Sequence, residues 1–422
     1  MSRRFNAFTT TNSTYGSFYL DTINKVKEDQ EKQRRLSNQS NKFETNPPGY
    51  ASNYHNPDYN RDNNISRVKT PNLLLKDSSI VGNISCSLTG LQNLGNTCFI
   101  NTCLQNVIHC TPFIAKFLEI SNQMFQKKIR PSPISEAFYE LLLQLYENNN
   151  GQQNDYINPS NFVDRFTSLH NQFYGNQEHD TQEFCRFLLQ DLNCELNTVA
   201  SPSPYRKELP RKNKNKRELF INYKDDCLSK ENSVITDLFI GYFSFEYLCE
   251  CGYKEYTFSQ FLDLPIQMNS SIGGFDLFQM LQNNFYKKSY VDMGENCSFC
   301  KRTSKKMEIM KIASLPQILI ISLQRINSHN GMKNNAPVRF YEGIDLREII
   351  DAEISDGSST KYNLFAVSNH VGEINTGHYY SYIKIGKDWY CFEDSKVYKV
   401  GYQIKMNTSE VYTLFYTRSN FK

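Results

Sequence analysis

The sequence has no long apolar run and almost no excess of charge. No stretch of its 422 residues approaches the roughly 20 consecutive apolar residues of a bilayer-spanning helix, so we expect no membrane span. A net charge of +3, from 47 basic and 44 acidic residues, argues against nucleic acid or an anionic membrane as the main partner. Glycine has no three-residue period and apolar heptads do not persist, which excludes a collagen and a coiled coil. The length then allows one large domain with appendages, or two ordinary domains.

The first residues also lack the apolar segment of an export signal, since MSRRFNAFTTTNSTYG has basic residues followed by polar ones. The twelve cysteines therefore do not indicate a secreted disulfide framework, and we expect a reducing compartment, cytoplasmic and/or nuclear. In such a compartment, closely spaced cysteine pairs are typically metal ligands, whereas isolated cysteines are buried or reactive.

Two segments have the composition of surface or disordered chain. Residues 1–85 have few aliphatic side chains and no sustained periodicity, so we predict a disordered polar arm with a short helix at 21–36 and a docking strip at 73–75. A partner-binding or targeting role, with partners unknown, is the alternative to a solvated tail. Residues 201–233 combine prolines with a run of Lys and Arg, which predicts a basic surface insertion in the form of a solvated loop. A nuclear import signal or a site for an acidic partner is the alternative there.

The remaining chain changes from helical to strand patterning along its length. Apolar residues recur at helical spacing in segments such as EHDTQEFCRFLLQDLNCEL of the first half. The second half contains short segments rich in β-branched and aromatic residues, such as QILIISLQRI and HYYSYIKI. Helices followed by strands predict an α+β domain with an antiparallel sheet, over residues 86–420.

One cysteine lies at the predicted start of a helix. Gly95 and Asn96 favour a turn and Thr97 can cap, which places Cys98 in the first helical turn. Unpaired backbone N–H groups and the positive end of the helix dipole favour the thiolate there, which is the nucleophilic form. An ordinary buried cysteine is the alternative for any single thiol, and Cys103, inside the helix, fits that alternative better.

A nucleophilic thiol needs a base, and the base needs a group that orients it. His378 opens a predicted strand, and a tight hairpin after it brings Glu393 and Asp394 back beside the imidazole. Either carboxylate can accept the imidazole N–H and fix its tautomer, which leaves the other nitrogen for Cys98. His370 has no such partner in the pattern and is assigned a structural role.

Six blocks of sequence, in this order, resemble the ubiquitin-specific proteases, which are papain-like cysteine peptidases that remove ubiquitin. The resemblance covers about residues 90–418. It implies a papain-like core with a helical thumb, an antiparallel-sheet palm and a β-finger subdomain at 234–310. It also implies ubiquitin and ubiquitinated proteins as partners, with no nucleic acid. The blocks are GLQNLGNTCFIN, NQEHDTQEFCRFLL, DLFIGYFSFEYLCECG, the CSFC pair followed by LPQILIISLQR, YNLFAVSNHVGEINTGHYYSYIK, and WYCFEDSKV.

The resemblance assigns roles to the candidate catalytic residues. Cys98 matches the nucleophile, His378 the general base, and Asn93 the side chain that forms the oxyanion hole with the Cys98 backbone N–H. The third triad position is Glu393, where the family usually has Asp or Asn. Because glutamate is one methylene longer, we hypothesise that Asp394 carries more of the orienting role, with Glu393 as the alternative.

A second block matches the family helix that lines the substrate channel. Ubiquitin ends in Leu-Arg-Leu-Arg-Gly-Gly, so we predict that Asp180 and Glu183 pair with the arginines of this tail, while a narrow passage admits only the two glycines. The neighbouring His179 and Gln182 also match this helix. Capping of the helix start is the alternative role for the two acidic residues.

Four cysteines resemble the zinc ribbon at the tip of the family's fingers. Cys297 and Cys300 form a C-x-x-C pair, but Cys249 and Cys251 are one residue closer together, so their turn must differ. Two pairs of thiolates make a closed tetrahedral site. A structural zinc is therefore predicted, with a metal-free finger as the alternative, and no cofactor is needed for catalysis.

Three functions are compatible with this pattern. The first is a thiol isopeptidase, in which Cys98 attacks the carbonyl of the terminal glycine of ubiquitin and water releases the thioester with His378 as base. The second is a ubiquitin-binding scaffold that has kept the fold and lost turnover. The third is a protease for a ubiquitin-like modifier.

Overall fold

The structure is a computed structural model. The helix predicted at 21–36 and the docking strip at 73–75 lie outside the described residues. Among the residues described, none of the helices combines the length and the apolar character that crossing a bilayer requires. The described residues are 78–126, 133–152, 154–175, 177–199, 215–268, 274–285, 288–291, 296–302, 305–326, 332–373 and 376–419.

Helices dominate the first half of the described chain, as the sequence pattern predicts. The α-helices are α1 (Ser78–Ser85), α2 (Cys98–Ile108), α3 (Thr111–Gln126), α4 (Pro133–Glu147), α5 (Ser160–Leu169), α6 (Thr181–Glu195), α7 (Lys216–Leu228), α8 (Val234–Leu238) and α9 (Leu277–Phe285). Shorter turns are π-helical at Asn148–Gln152 and 3₁₀ at Asn171–Phe173 and Arg347–Ile349.

Strands dominate the second half. They are β1 (Gly90–Leu91), β2 (Tyr156–Ile157), β3 (Gly241–Leu248), β4 (Lys254–Phe261), β5 (Leu264–Gln267), β6 (Phe275–Asp276), β7 (Lys288–Val291), β8 (Lys306–Ser314), β9 (Ile318–Gln324), β10 (Val338–Arg339), β11 (Gly343–Asp345), β12 (Lys361–Val371), β13 (His378–Ile385), β14 (Asp388–Glu393), β15 (Lys396–Gly401), β16 (Asn407–Thr408) and β17 (Val411–Arg418).

The largest sheet carries the strand that begins at His378. Its strands lie in the order β15, β14, β13, β12, β17, β9 and β5, and β11 adds to β12. Every neighbouring pair is antiparallel except β5 and β9, which are parallel. The predicted antiparallel sheet is therefore present, with one parallel pair at its edge.

Helix α2 is buried along its whole length against this sheet. All of its residues, from Cys98 to Ile108, are buried. Two hydrogen bonds fix it to the strands: Ser381 Oγ donates to Thr102 O at 3.2 Å, and Asn106 Nδ2 donates to Ser368 Oγ at 2.7 Å. Because Ser381 lies on β13 and Ser368 on β12, the helix that begins at Cys98 is held beside the strand that begins at His378.

The other helices form a lobe with an aromatic core. Phe113 of α3 packs against Phe138 of α4, and Phe138 packs against Phe162 of α5, with ring centroids 6.1 and 6.3 Å apart. Phe166 of α5 then meets Phe184 of α6 at 4.6 Å. Rings of this size dominate the apolar area that a small helical lobe can bury. The core fixes α6, whose first turn faces the start of α2.

The folded domain begins earlier than predicted. Helix α1 lies within the segment assigned to the polar arm, but its Ile80 and Ile84 are buried. Asn149 Nδ2 also donates to Asn83 O at 2.9 Å, which ties α1 to the π-helical turn. The boundary at 85/86 is therefore wrong, because two isoleucines one helical turn apart are enough to dock this short helix.

The predicted basic loop is helical over its described part. Asn215 caps α7 by accepting from the Glu218 N–H at 2.8 Å. Lys216 is buried and its Nζ lies 2.5 Å from Asp351, while Phe220 packs against Tyr242 with ring centroids 5.6 Å apart. The prediction of a solvated loop is therefore wrong for this part of 201–233; residues 201–214 lie outside the described ranges.

The predicted finger region at 234–310 contains a separate four-stranded sheet in the order β4, β3, β8, β7, whereas β5, within the same range, belongs to the largest sheet. At one end of this sheet, antiparallel pairing places Leu248 of β3 opposite Lys254 of β4 and opposite Met307 of β8. The short helix α8, which opens the predicted region, packs instead against α3 and α6 of the helical lobe. The finger sheet itself runs from Gly241 to Ser314.

Candidate active site

A left-handed turn precedes the cysteine at the start of α2. Gly95 has φ 106° and Asn96 has φ 52°, so the predicted turn is present, and the helix begins at Cys98. Thr97 occupies the N-cap position but makes no side-chain cap, and its hydroxyl instead accepts from the Leu94 N–H at 2.9 Å. The expectation that Thr97 caps the helix is therefore wrong, because its hydroxyl closes the preceding turn.

The Cys98 thiol lies against the strand that carries the histidine. Helix α2 begins at Cys98, and Ser381 Oγ of β13 donates to Thr102 O of this helix at 3.2 Å. Cys98 is only 3% exposed. Burial raises the pKa of the thiol to about 11, and the carboxylates of Asp394 and Glu178 raise it further against the effect of the Tyr379 N–H. The predicted preference for thiolate is therefore reversed in this state, since burial outweighs the helix terminus.

His378 faces the carboxylate of Glu393. The predicted hairpin is present, with Ser381 of β13 paired with Phe392 of β14. His378 Nε2 lies 3.5 Å from Glu393 Oε1, and both side chains are partly exposed. This distance is longer than a normal hydrogen bond, as is common for catalytic pairs in free enzymes. The contact involves Nε2, so Nδ1 is the ring nitrogen that does not face the carboxylate.

Asp394 is occupied by other partners. Asn93 Nδ2 donates to its Oδ2 and Asn101 Nδ2 donates to its Oδ1, both at 2.8 Å. Its backbone has φ 51°, and its carbonyl accepts from the Leu91 N–H at 2.9 Å. The hypothesis that Asp394 orients His378 is therefore not supported, because both carboxylate oxygens point to asparagine amides.

Asn93 is held in one orientation. Its Oδ1 accepts from the Gly95 N–H at 2.9 Å and the Thr97 N–H at 3.2 Å, while its Nδ2 points to Asp394. The amide is thereby folded over the turn that leads to Cys98. Asn101, which also donates to Asp394, was missed in the sequence. The sequence signal is an asparagine one helical turn after the cysteine, and the structure shows that it is buried.

The predicted tail-binding residues have different surroundings. Asp180 caps α6: its Oδ1 accepts from the Gln182 N–H at 2.7 Å and its Oδ2 from the Tyr412 hydroxyl at 2.5 Å. Burial raises the pKa of this carboxyl. Capping, the alternative role, is thus what Asp180 performs here. Glu183 is exposed in the first turn of α6.

The segment before α6 runs along the first turn of α2. Thr181 Oγ1 donates to Phe99 O at 2.8 Å, and the His179 ring packs against the Phe99 ring at 5.4 Å. Glu178, which sequence analysis missed, accepts from the Gly377 N–H at 2.8 Å. Only the short run Glu-His-Asp before the helix marked this segment.

His370 is buried beside the site, 3% exposed. Its ring packs against Tyr379 with centroids 4.3 Å apart. Burial, assisted by the positive charges of Lys333 and Arg325, lowers its pKa to about 4. His370 is therefore neutral near pH 7, and a base of so low a pKa is a poor match to the thiol.

The four predicted metal-ligating cysteines converge at the tip of the finger sheet. Their sulfurs all lie within 4.8 Å of one another, and the Cys249–Cys300 and Cys251–Cys297 sulfur pairs are 3.9 and 3.8 Å apart. Tetrahedral zinc–sulfur bonds of about 2.3 Å place neighbouring sulfurs about 3.8 Å apart. The donor set therefore fits a four-coordinate metal of the zinc type.

The short first pair is accommodated by its turn. Gly252 has φ 85° and its N–H donates to Cys249 O at 2.8 Å. At the second pair, the Lys301 N–H donates to Cys297 O at 2.9 Å, and Lys301 has φ 62°. A residue with positive φ thus follows each cysteine pair and reverses the direction of the chain. The shorter spacing of Cys249 and Cys251 therefore does not prevent their sulfurs from joining the cluster.

Sequence comparison places most of the chain in one family. The family model described as "Ubiquitin carboxyl-terminal hydrolase" matches residues 89–416. Ubiquitin carboxyl-terminal hydrolase 2 of Rattus norvegicus is 31% identical over 349 residues, covering 78% of this chain and 54% of that protein. Its counterpart in Gallus gallus is 31% identical over 345 residues, covering 78% of this chain and 93% of that protein. The chain thus spans about half the length of the rat relative.

Solved structures have the same fold. A SAGA DUB module of Ubp8, Sgf11, Sus1 and Sgf73 bound to monoubiquitin contains a chain similar at TM-score 0.60 and 22% identity, with 81% of this chain and 71% of that chain covered. The same module bound to ubiquitin aldehyde matches at TM-score 0.60 and 24% identity, with the same coverage. The predicted α+β fold is confirmed. On its sequence match over residues 89–416, the chain belongs to the ubiquitin carboxyl-terminal hydrolase family.

Proposed function

We propose that the chain is a deubiquitinating thiol isopeptidase, which hydrolyses the bond after the C-terminal glycine of ubiquitin through a thioester on Cys98. The observation that carries this proposal is the packing of helix α2, which begins at Cys98, against strand β13, which begins at His378, fixed by the hydrogen bond from Ser381 Oγ to Thr102 O. The candidate nucleophile and the candidate base thus lie at the starts of two elements that pack against each other. The family and the ubiquitin-bound structural neighbours support ubiquitin as substrate, and we propose ubiquitinated proteins as partners.

The buried thiol constrains the order of the steps. Because Cys98 is protonated near pH 7, with a pKa of about 11, its proton must pass to His378 as the sulfur attacks the glycine carbonyl carbon. The tetrahedral intermediate then collapses, the C–N bond breaks, and His378 returns the proton to the leaving amine. Water, deprotonated by His378, then attacks the thioester carbonyl carbon; the C–S bond breaks, His378 returns the proton to the Cys98 sulfur, and ubiquitin leaves with a free C-terminal carboxyl group.

We assign two groups to the stabilisation of the oxyanion of the intermediate. The Cys98 backbone N–H has no partner within its own helix, as for any first-turn residue. The Asn93 amide is the second donor, and removal of one such donor costs about 3 kcal/mol of barrier in comparable hydrolases. We assign Asp394 the role of holding Asn93 in place, with Asn101 as a second anchor. Glu393 is then the residue that orients His378.

We propose that the metal held by Cys249, Cys251, Cys297 and Cys300 is zinc and that its role is structural. The cluster joins the β3–β4 turn to the segment before β8 and so cross-links the far end of the finger sheet. Such a metal contributes its binding free energy to folding and takes no part in the reaction. The proposed location, cytoplasmic and/or nuclear, follows from the reduced thiols that this site requires.

Turnover is tested with ubiquitin carrying a C-terminal coumarin amide. We expect hydrolysis by the wild-type chain and a loss of at least about 10³-fold for Cys98→Ala, because the nucleophile is gone. Cys86→Ala, a change at an exposed cysteine, is the matched control and should retain activity. An inert wild-type chain that still binds ubiquitin would support the scaffold instead, and faster reaction with a ubiquitin-like modifier would support the third function.

A mutant cycle distinguishes the roles of Glu393, the last residue of β14, and Asp394, which follows it. Asparagine tolerates the φ of 51° at position 394, so Asp394→Asn should fold. The new side chain has one acceptor oxygen in place of two, and its NH₂ group cannot accept from the amide of Asn93 or Asn101. We therefore expect kcat to fall about 10²-fold. Because Asp394 acts through Asn93, Asn93→Ala and Asp394→Asn should be strongly non-additive. Glu393→Ala should cost less, about tenfold, because His378 keeps its place on β13 and loses only the carboxylate that orients its ring. A large loss in the Glu393 variant alone would remove Asp394 from any role in the reaction.

Elemental analysis of the purified protein tests the metal proposal. We expect about one zinc per chain, since the sulfur spacing matches the tetrahedral site. Cys251→Ser should lose the metal and lower the midpoint of thermal unfolding, whereas Cys86→Ser should change neither. Much less than one zinc per chain would identify the finger as metal-free.

A further inference from the structure

One hydrogen bond crosses the groove between the two halves of the active site. The Glu178 carboxylate accepts from the Gly377 N–H at 2.8 Å. Glu178 belongs to the segment before α6, which is fixed to the first turn of α2 through Thr181 and His179. Gly377 directly precedes His378 on the sheet side. The bond therefore joins the wall that carries Cys98 to the wall that carries His378.

The Glu178 side of this bond is close to the nucleophile, because the neighbouring His179 and Thr181 contact Phe99, the residue after Cys98. The Glu178 charge is close enough to Cys98 to raise the pKa of the thiol, together with the larger effect of burial. Cys98 is 3% exposed, so its sulfur is covered in this state. A sulfur must reach a carbonyl carbon to react, at about 3–3.5 Å in the attack geometry. Some group above Cys98 must therefore move before substrate enters.

The glycine side of the bond is packed from behind. A Cβ on Gly377 would lie 2.1 Å from His370 Nε2 and 2.6 Å from the Glu373 backbone oxygen. His370 is itself buried, between the rings of Tyr379 and Tyr412. Gly377 is thus packed closely against His370 and the Glu373 backbone on this side. Glu178 is partly exposed and has three rotatable side-chain bonds, so the movable partner is Glu178.

We propose that Glu178 is a specificity-determining latch. In the free protein its bond to Gly377 closes the approach to Cys98, and a substrate opens it only by supplying binding energy from contacts elsewhere. A short peptide ending in Gly-Gly presents the same scissile carbonyl but few other contacts, whereas a whole ubiquitin has a large surface to bind. The latch therefore favours the complete modifier over its isolated tail. This inference rests on the proposed function.

The test compares two substrates in three variants. The substrates are ubiquitin and a five-residue tail peptide, each with a C-terminal coumarin amide. Glu178→Ala removes the bond, and we expect the ratio of kcat/KM for the peptide to kcat/KM for the conjugate to rise about tenfold. Glu178→Gln keeps an oxygen that accepts from the Gly377 N–H, so its ratio should stay within about twofold of wild type. Glu373→Ala, an exposed acidic neighbour that meets Gly377 through its backbone, is the matched control.

A second measurement reports access to the sulfur without any substrate. Alkylation of Cys98 by iodoacetamide at pH 8, mapped by mass, should be about tenfold faster in Glu178→Ala than in Glu178→Gln, which has lost the same charge but keeps an acceptor for the Gly377 N–H, and the rate in Glu373→Ala should equal that of wild type. Thermal unfolding of each variant confirms that it folds. Equal losses toward both substrates in Glu178→Ala would mean that the bond supports His378, and unchanged ratio and alkylation would mean that it limits nothing; either result overturns the latch. A wild-type chain inert toward the conjugate would refute the proposed function, while the alkylation rates would still decide the latch.

Discussion

The site depends on the packing of one fully buried helix, α2, against strands β12 and β13. This contact brings together a cysteine and a histidine that are far apart in the chain, and it is fixed by polar bonds through Ser381 and Asn106 as well as by apolar burial. A buried helix with two side-chain bonds to its sheet cannot slide without leaving polar groups unpaired, which is costly in a protein interior. The catalytic geometry is therefore a property of the core.

The same packing sets the electrostatics of the site. Burial keeps the Cys98 thiol protonated, and the carboxylates of Asp394 and Glu178 add to that effect. Asp394 also accepts a hydrogen bond from Asn93 Nδ2, so one carboxylate acts both on the Cys98 thiol and on the amide that we propose as the oxyanion donor. The thiol is therefore protonated in the free protein. In the proposed mechanism, substrate binding changes the solvation around Cys98 and so starts the reaction.

The sequence predicts those parts of the structure that local patterns control. The turn at Gly95, the helix start at Cys98 and the hairpin from His378 to Glu393 all follow from residues that are neighbours in the chain. Local sequence patterns give the wrong prediction where the surroundings of a residue depend on a partner that is distant in the chain. Lys216 looks like part of a solvated basic loop, but it is buried because Asp351, from another part of the chain, pairs with it.

Labelling with a ubiquitin probe that carries a C-terminal vinyl-ester warhead tests the account most directly, because the warhead reacts only where a ubiquitin tail meets an activated sulfur. Mass mapping should find one adduct per chain, on Cys98, and the labelling should be lost or greatly slowed in His378→Ala. An adduct on any other of the twelve cysteines, or labelling of Cys98 at an undiminished rate without His378, would contradict the pairing of these two residues in one groove.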